Sequence, residues 1–240
     1  MRIGFASHPG MVRGNNEDFI IIDEEIGLFL IADGVGGHQS GEIASCLGAE
    51  TIHASLKEVI DTQIDYEIEQ AIREAFKNAH HAIISNSSTE EENKGMATTV
   101  VLCLFQNSKV YVAHVGDSRA YVIDSHKLTQ LTEDHSPVAN LVRKGEISKK
   151  VAKSHKMKHM VAQCLGSDQY WGPDIKNLNI SNDEIFLLCS DGLTDMVSDK
   201  DIQKVLNKKK GDLQKHTDEL VNLANRRGGR DNISVILIEN

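Results

Sequence analysis

The sequence predicts an α+β fold, and three observations carry that reading. Short apolar runs at 29–32, 98–105, 185–189 and 233–238 have the length and composition of buried strands. Two longer segments, 42–59 and 66–85, place apolar residues three to five apart, the spacing of amphipathic helices. Apolar runs also end in an aspartate close to glycine, which sets carboxylates at a sheet rim while glycine permits close backbone approach.

In order along the chain, residues 3–7 form a short strand stopped by Pro9 and Gly10. Residues 19–22 and 28–32 form two strands joined by a turn at 23–27. In an antiparallel hairpin, Glu17 or Asp18 before the first strand then lies beside Asp33 after the second. The helix at 42–59 carries Ile43, Leu47, Ile52, Leu56 and Val59 as its apolar stripe, with Ser40 as N-cap. The second helix presents Ile68, Ala71, Ile72, Ala75, Phe76, Ala79 and Ile83 on one face. Residues 86–95 are polar and acidic and read as a surface loop. Strands return at 98–105, 109–115 and 119–123, with a short one at 128–131, and their spacing suggests a meander. Residues 135–165 read as a helical, basic insertion, a flap beside the sheet. A strand at 185–189, helices at 199–207 and 213–227, and a strand at 233–238 complete a single domain over 1–240.

Composition narrows the function. With 26 Lys and Arg against 35 Asp and Glu, the formal charge is −9, which argues against a general nucleic-acid or acidic-membrane binder. No apolar run approaches a membrane span, and the N-terminus lacks a secretory h-region, so the expected compartment is the cytoplasm. Cys46, Cys103, Cys164 and Cys189 lack zinc spacing. Cys103 and Cys189 sit in strand-like runs as small buried hydrophobes. Neither a GxxxxGK[ST] phosphate loop nor a Cys-x5-Arg nucleophile loop occurs.

The chemistry-bearing pattern is a set of aspartates at strand ends: Asp33, Asp117, Asp191 and Asp231. Carboxylates that converge cannot all stay ionised without a cation, because each raises the pKa of the others. All-oxygen ligands suit Mg2+, Mn2+ or Ca2+ rather than a thiolate-type zinc site.

Six motifs in order carry a resemblance: Arg13-x-x-Asn16-Glu17-Asp18, Ala32-Asp33-Gly34-Val35-Gly36-Gly37-His38, Ala97-Thr98-Thr99, Gly116-Asp117-Ser118-Arg119, Ser190-Asp191-Gly192-Leu193 and Gly229-Arg230-Asp231-Asn232-Ile233. Together they resemble the metal-dependent serine/threonine protein phosphatases of type 2C (PPM), in the compact bacterial branch. The resemblance implies a four-layer α-β-β-α sandwich, with two antiparallel sheets flanked by helices and two Mn2+ or Mg2+ ions at one end. It implies that Asp33 bridges the ions and Gly34 offers its carbonyl to one of them. Asp191 and Asp231 would ligate the other. Glu17 would hold a water of the metal shell, with Asp18 and Asn232 supporting, and Arg13 would grip the substrate phosphate. Asp117 matches the ligand of a weaker third ion, with His159 a further group near it.

His38 is the histidine nearest the centre, as general acid or as a loop-stabilising hydrogen bond. Here the chain departs from eukaryotic members, which carry Asp-Gly-His where Val35 stands. The implied activity is hydrolysis of phosphoserine and phosphothreonine in proteins by a monomer that opposes a Ser/Thr kinase. One alternative is a catalytically silent member that binds a partner through the same surface; another is a phosphatase for one regulatory phosphoprotein. Outside the motifs, His80, His81, His135 and His155 read as solvated, as do the basic residues of 143–158. Arg226, Arg227 and Arg230 would balance the acidic rim.

Overall fold

The computed structural model describes residues 1–35, 40–62, 67–89, 91–124, 127–152, 154–181, 184–207 and 211–239. Its strands form two antiparallel five-stranded sheets. The first sheet takes, in spatial order, β1 (Arg2–His8), β10 (Ile233–Glu239), β9 (Ile185–Cys189), β6 (Arg119–Asp124) and β7 (Lys127–Gln130). The second takes β2 (Asp18–Asp23), β3 (Leu28–Val35), β4 (Ala97–Gln106), β5 (Lys109–Val115) and β8 (Asp174–Asn179). Helices α1 (Ser40–Asp61) and α2 (Ile68–Thr89) cover the second sheet, and α6 (Asp199–Leu206) and α7 (Leu213–Arg226) cover the first. Three shorter helices, α3 (Pro137–Arg143), α4 (Lys149–Ala152) and α5 (Asp191–Thr194), lie between β7 and α6 in sequence.

Strand alternation explains why the central strands read as unbroken apolar runs. Successive side chains point to opposite faces, and here both faces are buried. Leu28, Leu30 and Ala32 of β3 pack beneath α1 and α2, whereas Phe29 and Ile31 pack between the sheets. On the other side, Leu187, Val235 and Leu237 face α6 and α7, while Phe186, Leu188 and Ile236 meet the opposing sheet. Phe105 joins the two halves of the inter-sheet layer with edge-on contacts to Phe29 at 5.7 Å and Phe186 at 5.4 Å. The result is an α-β-β-α sandwich.

Several expectations need correction. The meander is broken: β4 and β5 pair, but β6 pairs with β9 in the other sheet, so the 116–118 turn carries the chain across the sandwich. Asp33 lies within β3 rather than after it, because Gly34 and Val35 continue to pair with Thr98 and Ala97. The buried face of α1 consists mainly of small residues, including Ala44, Ser45, Gly48 and Ala49, with Ile52 and Leu56, and Ile43 is 37% exposed. Small residues let α1 approach the sheet closely. The Ser40 hydroxyl donates to the Glu92 carbonyl at 2.8 Å instead of capping. α2 continues to Thr89 and a 3-10 turn follows at Glu91–Asn93, where a loop was expected. The 135–165 segment is less helical than its lysines suggest, with α4 only four residues long. β8 and α5 stand where the sequence predicts no element.

Candidate metal centre

Register builds the site. Pairing of β2 with β3 sets Asp18 directly opposite Asp33, and pairing of β3 with β4 sets Asp33 opposite Thr99. The Thr98 hydroxyl donates to the Asp33 carbonyl at 2.9 Å, and the Gly34 N–H donates to the Glu17 carbonyl at 3.2 Å. Gly34 has no room for a side chain, since a Cβ there would overlap the Gly41 carbonyl at the start of α1.

The first sheet contributes from the opposite side. Cys189 pairs with both Arg119 of β6 and Val235 of β10. Asp117, Asp191 and Asp231 therefore leave three neighbouring strands at one end. The Ser190 hydroxyl ties this end to the second sheet by donating to Asp18 Oδ2 at 2.9 Å, while its N–H donates within the first sheet to the Ser234 carbonyl at 3.1 Å.

The carboxylates feel one another. Burial raises Asp33 well above the usual range, and the charges of Asp18, Asp191, Asp117 and Asp231 raise it further. Burial also raises Asp191, with Asp117, Asp231, Asp195 and Asp18 adding to it. Asp18 is pushed up to about 6 by burial, although hydrogen bonds from Ser234 and Ser190 oppose the shift. Asp117 is pushed up to about 6 by burial and by Asp134, against the opposing charge of Arg119. Asp18 Oδ1 is buried without a hydrogen-bond partner. Unpartnered, mutually repelling oxygens of this kind suit a divalent cation and its water. The residues present therefore fit a hard-metal centre.

Arg13 reaches the rim from the 9–17 loop, and its Nη2 donates to Asp231 Oδ2 at 2.8 Å. That contact is the main cause of the raised Arg13 pKa. Asn232 holds the loop in place. Its Nδ2 donates to the carbonyls of Pro9 at 3.1 Å and Asn15 at 2.8 Å, and its Oδ1 accepts the Glu17 N–H at 2.8 Å.

His38, Gly36 and Gly37 lie outside the described residues. His159 meets Asp195 rather than Asp117, with Nδ1 3.1 Å from Asp195 Oδ2, and Lys158 Nζ lies 3.3 Å from the same oxygen. Sequence reasoning missed Asp195; its position four residues after Asp191, one helical turn on, was the available signal. Arg227 pairs with Asp201 at 2.8 Å and so does not serve the rim. His80 is partly buried, stacked on Tyr170 at 4.4 Å and accepting the Gly166 N–H, rather than solvated.

His114, His135 and Asp174 also bring potential ligand atoms within 4.8 Å of one another. Their geometry does not suit an ion. The two rings stack at 4.5 Å with planes 23° apart, so their in-plane lone pairs do not converge. Moreover, His135 Nδ1 accepts the Gly116 N–H, which leaves the neutral ring's proton on Nε2.

Known proteins share this fold. The model of the family described as protein phosphatase 2C matches residues 14–237. The serine/threonine phosphatase stp of Listeria monocytogenes is 36% identical over 243 residues, spanning 100% of this chain and 96% of that protein. The crystal structure of the Mycobacterium tuberculosis serine/threonine phosphatase PstP/Ppp has a TM-score of 0.89 at 33% identity, covering 99% of this chain and 97% of that one. The catalytic domain of PstP in complex with two manganese ions has a TM-score of 0.86 at 32% identity, with coverage of 99% and 97%. With both the fold and the strands of the carboxylate rim inside these matches, the chain belongs to the protein phosphatase 2C family.

Proposed function

We propose that this chain hydrolyses phosphoserine and phosphothreonine in proteins, using Mn2+ or Mg2+ held at the Asp33 rim. The observation that carries the proposal is the convergence of Asp33 and Asp191, from different sheets: burial raises both, Asp18, Asp117 and Asp231 raise both further, and the charge of Asp191 adds to the rise of Asp33. Two divalent cations, when bound, supply an acidified water at neutral pH and offset the phosphate charge.

The chain's own groups divide the remaining work. Asp33 and the Gly34 carbonyl would hold one ion, and Asp33, Asp191 and Asp231 the other. Glu17 and Asp18 orient water, for which the unpartnered Asp18 Oδ1 is suited. Arg13 leaves Asp231 to grip two phosphate oxygens, a match for its planar fork. Asp117 serves a weaker third ion, with His159 close by through Asp195. His38 is assigned to protonate the leaving alkoxide.

The substrates are phosphorylated proteins, and the natural counterpart is a Ser/Thr kinase. Residues 1–240 act as a single monomeric domain, with 135–165 as its flap. Four free cysteines suit a reducing compartment such as the cytoplasm, and among the described residues no helix is long and apolar enough to cross a membrane. The silent-member alternative is disfavoured by the presence of every carboxylate and of Arg13. Purified protein should release phosphate from a phosphothreonine peptide with Mn2+ and lose that activity in EDTA. No release with Mn2+ would overturn the proposal.

A further inference from the structure

The turn that carries Asp117 is gripped from outside the metal rim. The His135 N–H donates to the Gly116 carbonyl at 2.9 Å, while the Gly116 N–H donates to His135 Nδ1 at 3.1 Å. One residue thus holds both backbone polar groups of Gly116, the residue before Asp117. Gly116 needs that support. Its φ is +107°, and a Cβ would sit 2.5 Å from the Thr99 side chain, so the turn is a conformation that few residues adopt.

His135 is itself held. Its side chain is only 9% exposed and stacks on His114, whose Nε2 donates to the Glu133 carbonyl at 2.8 Å. Gln163 Nε2 donates to the same Nδ1 at 2.9 Å. The Gln163 amide orientation is set by the Trp171 N–H at 2.8 Å and the Gly172 carbonyl at 3.1 Å. The His135 carbonyl accepts the Ala162 N–H at 2.7 Å. A continuous chain of hydrogen bonds therefore runs from residues 162–172, at the C-terminal base of the flap, through His135 to Gly116.

We infer that His135 is a positioning residue for Asp117: its Nδ1 acceptor fixes the Gly116 turn and couples it to the base of the flap. The inference rests on the reading of Asp117 as a ligand of the weaker third ion. Two substitutions separate the acceptor from the ring. His135→Asn puts Oδ1 where Nδ1 stood but removes the stack; His135→Leu keeps apolar bulk but removes the acceptor.

The readouts are hydrogen exchange at the Gly116 amide in metal-free protein and Mn2+ calorimetry, with Asp117→Asn defining the Asp117-dependent event. The leucine variant should exchange Gly116 about tenfold faster or more. It should also weaken the Asp117-dependent event by roughly 10- to 100-fold and leave the tighter events unchanged. The asparagine variant should restore both toward wild type. Unchanged exchange in the leucine variant overturns the inference. So does an asparagine variant with exchange as fast as leucine, because the ring would then matter rather than the acceptor. If the leucine variant fails to fold, asparagine exchange near the wild-type rate supports the inference, and exchange about tenfold faster or more overturns it. Identical isotherms for wild type and Asp117→Asn would instead sink the ligand reading of Asp117, leaving the exchange result to judge the clamp.

Discussion

At the scale of single residues, the rim carboxylates oppose the fold that creates them. Asp33 and Asp191 are buried beside like charges, so neutralising either one relieves the metal-free protein. Asp33→Asn should therefore raise the unfolding temperature in EDTA while lowering Mn2+-dependent turnover by roughly three orders of magnitude. Parallel melting curves and phosphopeptide assays would expose any failure of that pairing. The same physics gives a pH dependence with a definite sign. Asp18 and Asp117 rise from 3.8 to about 6 on folding, so the folded chain holds protons that the unfolded chain has released. Their contribution to stability is complete below the unfolded value and is lost as pH rises through about 6. Denaturant titrations in EDTA should show these groups lowering stability between about pH 4 and about pH 6. Saturating Mn2+ should reverse that trend, since ligation requires the ionised forms.

At the scale of elements, two close contacts carry most of the site's precision. Gly34→Ala would drive a methyl group into the Gly41 backbone and push α1 off β3, at a cost of at least about 2 kcal/mol. Asn232→Ala would release three hydrogen bonds to the 9–17 loop, at a cost of roughly 2–4 kcal/mol. Because that loop carries Arg13, KM for a phosphopeptide should rise alongside the loss of stability. An unchanged KM would separate Asn232 from phosphate binding. The same elements mark what could be read from the chain. The β2–β3 hairpin was legible because a short turn joins two apolar runs, and that alone set Asp18 beside Asp33. The crossing of β5 to β6 was not, since both strands bury apolar residues on each face and such a pattern does not say which sheet a strand joins. β8 was missed because it is an edge strand with exposed polar residues and little alternation. Asp195 and the His135 clamp were missed because their partners lie far away in sequence or on the main chain.

At the scale of the whole molecule, three apolar layers supply cohesion while one end of the sandwich concentrates negative charge. Cations that bind the folded rim and not the unfolded chain must stabilise it. Adding Mn2+ to metal-free protein should raise the unfolding temperature by several degrees, in proportion to the logarithm of its concentration above saturation. Asp33→Asn should abolish most of that shift, which differential scanning calorimetry would measure. The pairing of β1 with β10, in register from Arg2 with Glu239 to His8 with Ile233, has a further consequence in time. Arg13 and Asp33 leave the ribosome well before Asp231. A nascent chain lacking the final strand holds a partial set of ligands and leaves β1 beside an open edge. Activity is therefore expected only once β10 has been made and has paired with β1.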